Sequence, residues 1–349
     1  MTAGRPRRGG LVVAALAATL GVAAVAGVAV GSVPLSPGTV LGIVTHRLTG
    51  LTDPSGWTLT QDAIVWDVRL PRVLFAAVAG AGLAMVGVAA QVLVANPLAD
   101  PFLLGVSSGA ALGAVTSLVT GVAVFGVTSH ALAGFVGALA AFSLVWLLAT
   151  RTEGGLTAHR LLLTGVLVSN ALLGATSYVV LQAADPSSTH SALFWLFGSL
   201  ADAGWDDLGL PTLVVAACGL GLFARARGLN ALQIGEEHAA GLGVPAGRLR
   251  AELFAVTSLI TGVLVALCGC VHFVGLVTPH LARRVVGHGH RRLLPVAALT
   301  GAVFLVLADL AARTLLSPEE IPVGILTTVA GAAFALAVLA RRGRRAGRA

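Results

Sequence analysis

Apolar runs of about 20 residues, the length a helix needs to cross the hydrocarbon core of a bilayer, recur along the whole chain between short polar breaks. They predict ten spans, at about residues 11–31, 70–94, 101–122, 130–150, 160–183, 206–224, 251–271, 273–287, 293–315 and 323–340. The eighth is short for a full crossing. No break is long enough for a separate soluble domain, so residues 1–349 read as one transmembrane domain of the all-α, polytopic class. A single polar stretch is long: residues 224–250, ARARGLNALQIGEEHAAGLGVPAGRLR.

That stretch divides further. A short apolar run from Leu229 to Ile234 stops at Gly235, which opens a second helix whose first turn holds Glu236 and Glu237, the charge sign favoured at a helix N-terminus. Gly243 suits the position just past its end, and Pro245 prevents continuation. Periodicity leaves two readings open: a pair of short helices forming a docking surface outside the bilayer, or an amphipathic loop resting on lipid headgroups. Elsewhere, Pro97 stops the second span, while Asp100 at the N-cap and Pro101 just after it start the third. Ala76, Gly80 and Ala84 give the second span a small-residue face for close helix packing.

Composition agrees with this reading: 56% hydrophobic residues, 11% charged residues and a mean hydropathy of +0.92 leave no surface for a soluble protein. All the basic residues besides histidine are arginine. Without a lysine the chain cannot carry a P-loop, whose lysine reaches the nucleotide phosphates. Cys218, Cys268 and Cys270 lie in apolar runs without metal-ligand spacing and read as small buried residues. The run after Arg5, Arg7 and Arg8 is longer than a signal-peptide core and reads as an uncleaved first span.

Charge orients the spans. With the amino terminus inside, the inner breaks collect Arg151, Arg160, Arg225, Arg227, Arg248, Arg250, Arg283, Arg284, Arg291, Arg292 and the C-terminal arginines. The outer breaks collect Asp53, Asp62, Asp67, Asp185, Glu319 and Glu320, with Arg47, Arg69, Arg72 and Arg313. Both termini are therefore expected in the cytoplasm. Asp309 is the clearest ionisable residue inside a span; Arg313, four residues on, offers an intrahelical ion pair, and proton coupling is the rival role. His272 and His280 read as packing residues, and His288 and His290 as solvated. Thr164, Ser169, Asn170 and Ser177 of the fifth span either line a path for a polar solute or bond neighbouring helices.

Residues 69–72 (RLPR), 80–91, 96–110 (NPLADPFLLGVSSGA), 232–243, 273–283 (FVGLVTPHLAR), 308–313 (ADLAAR) and 320–324 (EIPVG) resemble, in order, the signatures of the FecCD family, the permeases of ABC importers for iron-siderophores, haem and vitamin B12. The resemblance runs from about residue 60 to 340. It implies a ten-helix permease that pairs with a second copy or a paralogue, two cytoplasmic ATPase subunits and an extracytoplasmic binding protein. It also implies that residues 229–243 are cytoplasmic coupling helices, with Leu232, Gly235, Glu236, Glu237, Ala239, Ala240, Leu242 and Gly243 at the ATPase. Arg69, Arg72 and Arg313 match arginines that dock the binding protein, with snorkelling to lipid phosphates as the alternative. The fifth and tenth helices of related permeases line the cavity, and Gly154 and Gly155 fall where the family has its cytoplasmic gate. One departure is Ala333, in Gly331-Ala-Ala-Phe334, where the family usually has proline.

The expected function is therefore transport and not catalysis: an importer subunit in the cell membrane, carrying a siderophore complex, haem or cobalamin at the expense of ATP hydrolysed elsewhere. An ion-coupled transporter or exporter is the alternative, and it needs more intramembrane ionisable groups than the chain supplies. An enzyme would need a nucleophile with its base, or a metal cluster, at one depth. No cofactor, resident metal or nucleic-acid partner is expected.

Overall fold

In hydrocarbon every backbone N–H and C=O needs an internal partner, and a helix supplies one from its own segment. The computed structural model describes residues 5–51, 53–121, 129–151 and 157–346, and every regular element among them is helical. In chain order these are α1 (Arg5–Ala29), α2 (Pro37–Thr49), α3 (Leu59–Ala63), α4 (Leu70–Leu93), α5 (Val106–Thr120), α6 (His130–Thr150), α7 (Ala158–Leu181), α8 (Pro186–Phe197), α9 (Gly209–Ala224), α10 (Ala226–Ile234), α11 (Glu236–Gly241), α12 (Ala246–Cys268), α13 (Val274–Val286), α14 (His290–Thr314) and α15 (Val323–Ala346). A π-helical turn, Ile64–Arg69, joins α3 to α4, and a 3-10 turn, Pro101–Leu104, precedes α5.

Each expected span has a helix at its place, but the helices are unequal. Among the described residues six stretches are long and apolar enough to cross a membrane: Gly9–Ala29, Leu59–Leu93, His130–Thr150, Ala158–Leu181, Ala246–Cys268 and His290–Thr314. The count of ten is thus approximate. α5 and the apolar part of α15, Val323–Val338, are shorter, α9 bends by 61° into α10, and α13 has 13 residues, about 20 Å at 1.5 Å per residue. Three helices escaped the sequence pattern, among them α3, which lengthens the second expected span back to Leu59. α2 and α8 both begin with a proline behind a capping side chain, Ser36 and Asp185 respectively, and both are too short to register as spans.

α4 lies at the centre, buried along most of its length. Its small-residue face meets α14: a Cβ on Gly80 would overlap the Gly301 carbonyl oxygen, so only glycine lets these backbones close on one another. Gly87 meets the Gly275 backbone of α13 in the same way. α1 and α14 run parallel, with Gly9 beside Arg292 and Gly27 beside Arg313, and α15 follows α13, with Gly331 against Phe273 and Phe334 against His280. The described chain consequently begins and ends at one end of the bundle, the end that gathers Arg283, Arg284, Arg291, Arg292 and the α10–α11 pair.

Between α12 and α13 the backbone leaves helical geometry, with Phe273 at φ 66°. Its neighbours absorb the freed polar groups. Ser199 N donates to Cys268 O at 2.9 Å and Gly324 N to Gly198 O at 3.3 Å, so the ends of α8 and α12 and the start of α15 satisfy one another. The Asp100 side chain docks the loop before α5 onto this break, accepting from Phe102 N at 2.9 Å and from the Phe273 backbone. Burial pushes its carboxyl up to about 6.

A raised acid pKa means that the folded state favours the protonated form. The contribution is present below the ordinary value near 4 and is lost as pH rises through about 6. Asp100→Asn keeps an acceptor oxygen for the cap. It is expected to stabilise the purified protein by about 1–3 kcal/mol at pH 7.5 and to be nearly neutral at pH 4.5. Thermal unfolding at the two pH values measures this; a substitution equally costly at both means that the ionised carboxylate is the stabilising form.

Candidate functional site

At the arginine-rich end, α10 is the piece of polar chain most firmly attached to the bundle. Ala226, Leu229, Ala231 and Leu232 turn inward and are buried. Asn230 Oδ1 accepts from His290 N at 3.0 Å and meets His290 Nδ1 at 2.6 Å, tying α10 to the first turn of α14. This corrects the expectation of a solvated His290, which is fully buried because α10 closes over it. Arg225, at the bend before α10, pairs with Glu252 of α12 at 3.0 Å, and Arg248 reaches the same carboxylate at 3.3 Å.

Gly235 then turns the chain with φ 145° and ψ 161°, a region open to glycine almost alone. α11 follows and ends in a Schellman motif: Val244 N donates to Ala239 O at 2.8 Å and Gly243 N to Ala240 O at 2.9 Å, with Gly243 left-handed at φ 74°. Arg250, buried at the start of α12, holds Glu236 at 2.6 Å, and the hydrogen bond it donates keeps that carboxyl below its usual range.

The eight residues expected at the ATPase therefore fall into three groups. Gly235 and Gly243 set the turns. Leu232 and Ala239 face inward and are buried, so they hold the segment to the bundle. Glu236, Glu237, Ala240 and Leu242 face out, Leu242 being 69% exposed. Ile234, 67% exposed at the end of α10, was missed. Two uncovered large apolar side chains on a polar segment were the available signal.

At the opposite end the arginines expected to dock a binding protein point into the protein. Arg69 caps the last turn of α1, with Nη1 donating to Val28 O at 2.8 Å and Nη2 to Val33 O at 2.7 Å. Arg72 Nε donates to Asp309 Oδ1 at 3.0 Å, and its Nη1 to Glu320 Oε2 at 2.9 Å. Arg313 Nη2 donates to Gly27 O at 2.8 Å. Its Nε stands 3.1 Å from Asp309 Oδ2 but is misaligned for a hydrogen bond, so the i, i+4 contact is Coulombic.

All three guanidinium residues are under 9% exposed. A docking charge has to reach a partner, and these are occupied with carbonyls and carboxylates that join α1, α4, α14 and the chain before α15. In the described structure they form an internal clamp.

The proposed path residues lie on α7 but do not share a face. Thr164 is half-buried, Asn170 is exposed with Nδ2 donating to Val166 O at 2.8 Å, and the Ser169 Oγ is buried without a partner, turned toward Gly105. Leu163, Leu167, Leu173 and Tyr178 are exposed beside Asn170. Gly154 and Gly155, read as the gate, lie outside the described residues. Among the described residues no group of three His, Cys, Asp or Glu is placed to share a metal ion.

Comparison with known proteins points one way. The model of the FecCD transport family matches residues 19–341. The chain is 42% identical over 298 residues to the hemin transport system permease protein HmuU of Yersinia pestis, covering 83% of this chain and 88% of that one. It is 43% identical over 290 residues to the cobalamin import system permease protein BtuC of Halobacterium salinarum, covering 82% and 76% respectively. Among solved structures, one described as a metal-chelate type ABC transporter in an inward-facing conformation superposes with a TM-score of 0.81 at 29% identity, covering 94% of this chain and 98% of that chain.

Proposed function

The chain belongs to the FecCD transport family, and from that premise we propose that it is the permease subunit of a binding-protein-dependent ABC importer for an iron-siderophore complex, haem or a cobalamin. ATP is hydrolysed on separate ATPase subunits, an extracytoplasmic binding protein delivers the solute, and a second permease copy or paralogue completes the path. The arginine-rich end is cytoplasmic, with both termini. One observation supports this above the rest. The α10–α11 pair is bolted to α12 and α14 by Arg250–Glu236 and Asn230–His290, yet presents Ile234 and Leu242 uncovered. A surface so built transmits a push to the bundle, which a loop lying on headgroups does not need.

Ion coupling fits less well. A proton-carrying carboxylate has to be free to change charge, whereas Asp309 is held between Arg72 and Arg313. Reconstitution in liposomes with the ATPase and the binding protein, each omitted in turn, distinguishes the two mechanisms. Uptake of labelled solute is expected only with ATP and all components. Uptake driven by a proton or sodium gradient in the absence of ATP overturns the proposal.

A further inference from the structure

Four arginines at the α10–α11 end remain without carboxylate partners. Arg283 and Arg284 close α13, and after the turn at Gly287, Arg291 and Arg292 lie in the first turn of α14. None of the four forms an ion pair among the described residues. They surround two adjoining cavities of about 430 and 730 Å³ that share Arg283, Arg284 and His288, and no Asp or Glu lines either one. Arg283 is half-buried and lines both cavities, while its Nε and Nη1 are closed off from solvent with no hydrogen-bond partner. The neighbouring His290 leaves Nε2 equally unpartnered, its Nδ1 being taken by Asn230.

A half-buried guanidinium without a counter-charge is unfavourable, and three like charges close by add repulsion. Bundles solve this elsewhere with carboxylates: Arg72 and Arg313 have Asp309, and Arg250 has Glu236. Here no carboxylate among the described residues plays that part, which leaves the place open to an anion from outside. Guanidinium forks match the oxygens of a phosphate group two at a time, and the cavities are roomy enough to hold one. Basic pockets between helix ends at the cytoplasmic surface are also where anionic headgroups are held.

We propose that Arg283, Arg284, Arg291 and Arg292 form a binding site for a phosphate-type anion, either the headgroup of an anionic phospholipid or free inorganic phosphate, which locks the α13–α14 turn beneath α10. The site is separate from the exposed face of α11 and does not depend on the transported solute.

The experiment uses the full-length chain in nanodiscs, with lipid retention read by native mass spectrometry and stability by thermal unfolding. In discs of phosphatidylcholine with a minor share of cardiolipin or phosphatidylglycerol, the wild type should retain the anionic lipid and melt higher than in phosphatidylcholine alone. Arg283→Gln with Arg284→Gln should reduce retention by about tenfold. The exposed pair Arg291→Gln with Arg292→Gln should weaken it as well, and this pair guards against a folding defect from the buried site. If the source is free phosphate, inorganic phosphate should stabilise the wild type in phosphatidylcholine discs, chloride of matched ionic strength should not, and both double variants should lose the response. The proposal is overturned if wild type and variants respond alike to lipid and to phosphate, or if only an added ATPase protects the arginines.

Discussion

Asp309→Asn is expected to cost about 3–5 kcal/mol of stability, because it leaves two buried guanidinium groups facing a neutral amide. Arg72 and Arg313 meet at this carboxylate from two helices, and both arginines are under 9% exposed. Arg72→Gln should be nearly as damaging, since it removes the bridge from Asp309 to Glu320. The triple change Arg72→Met, Asp309→Leu, Arg313→Met removes every charge together and should recover most of the loss, as buried ion clusters replaced by apolar residues of similar volume usually do. Thermal unfolding in detergent or nanodiscs checks all three. Should Arg72→Gln instead melt like the wild type while abolishing uptake that depends on a binding protein, the clamp reading fails and the arginine is a docking residue after all.

The second large effect is expected at the cytoplasmic surface proposed for the ATPase. Ile234→Asp and Leu242→Asp alter side chains that are mostly exposed, so the melting temperature should hardly move, whereas affinity for the ATPase should fall by tenfold or more, roughly the loss of a central apolar contact in an interface. Gly243→Val forces a side chain onto a left-handed residue at φ 74°, a strain of about 1–2 kcal/mol that should tilt α11. Ala239→Arg acts differently. Ala239 is fully buried against the bundle, so its replacement should disrupt the permease itself. Co-purification of the ATPase, read beside the melting temperature of each variant, separates these cases. Unchanged ATPase binding by both aspartate variants means that this surface is not the contact.

The two sets of variants report on opposite ends of α14. His290 anchors α10 at one end and Asp309 holds Arg72 at the other, so a rigid α14 links the proposed coupling surface to the clamp. Gly80 and Gly301 bring α4 against the same helix with backbones in contact. A displacement of α10 is therefore expected to reach α4 and α14 together, as the proposed drive by a separate ATPase requires.

How much of this was readable from the amino acids follows from the range over which each feature is decided. The apolar runs, the Gly235 and Gly243 turns around α11, the Asp100 cap and the Asp309–Arg313 spacing depend on residues a few positions apart. Steric limits, capping and helical period act over that same distance, so the linear order carries them. The all-α membrane class and the family were legible for the same reason.

The inward turn of Arg69 and Arg72 was not legible. Arg72 finds Asp309 across 237 positions, and an arginine near a span end is written the same way whether it meets lipid, a partner or a buried carboxylate. Nor could the order of residues tell that Leu232 and Ala239 hold α10 and α11 to the bundle while Ile234 and Leu242 stay bare, because helices of nine and six residues are too short for a periodic pattern to mark their inner face. Those assignments come from packing, in which the close glycine contacts of α4 with α13 and α14 decide which polar groups are brought together and which are left to the surface.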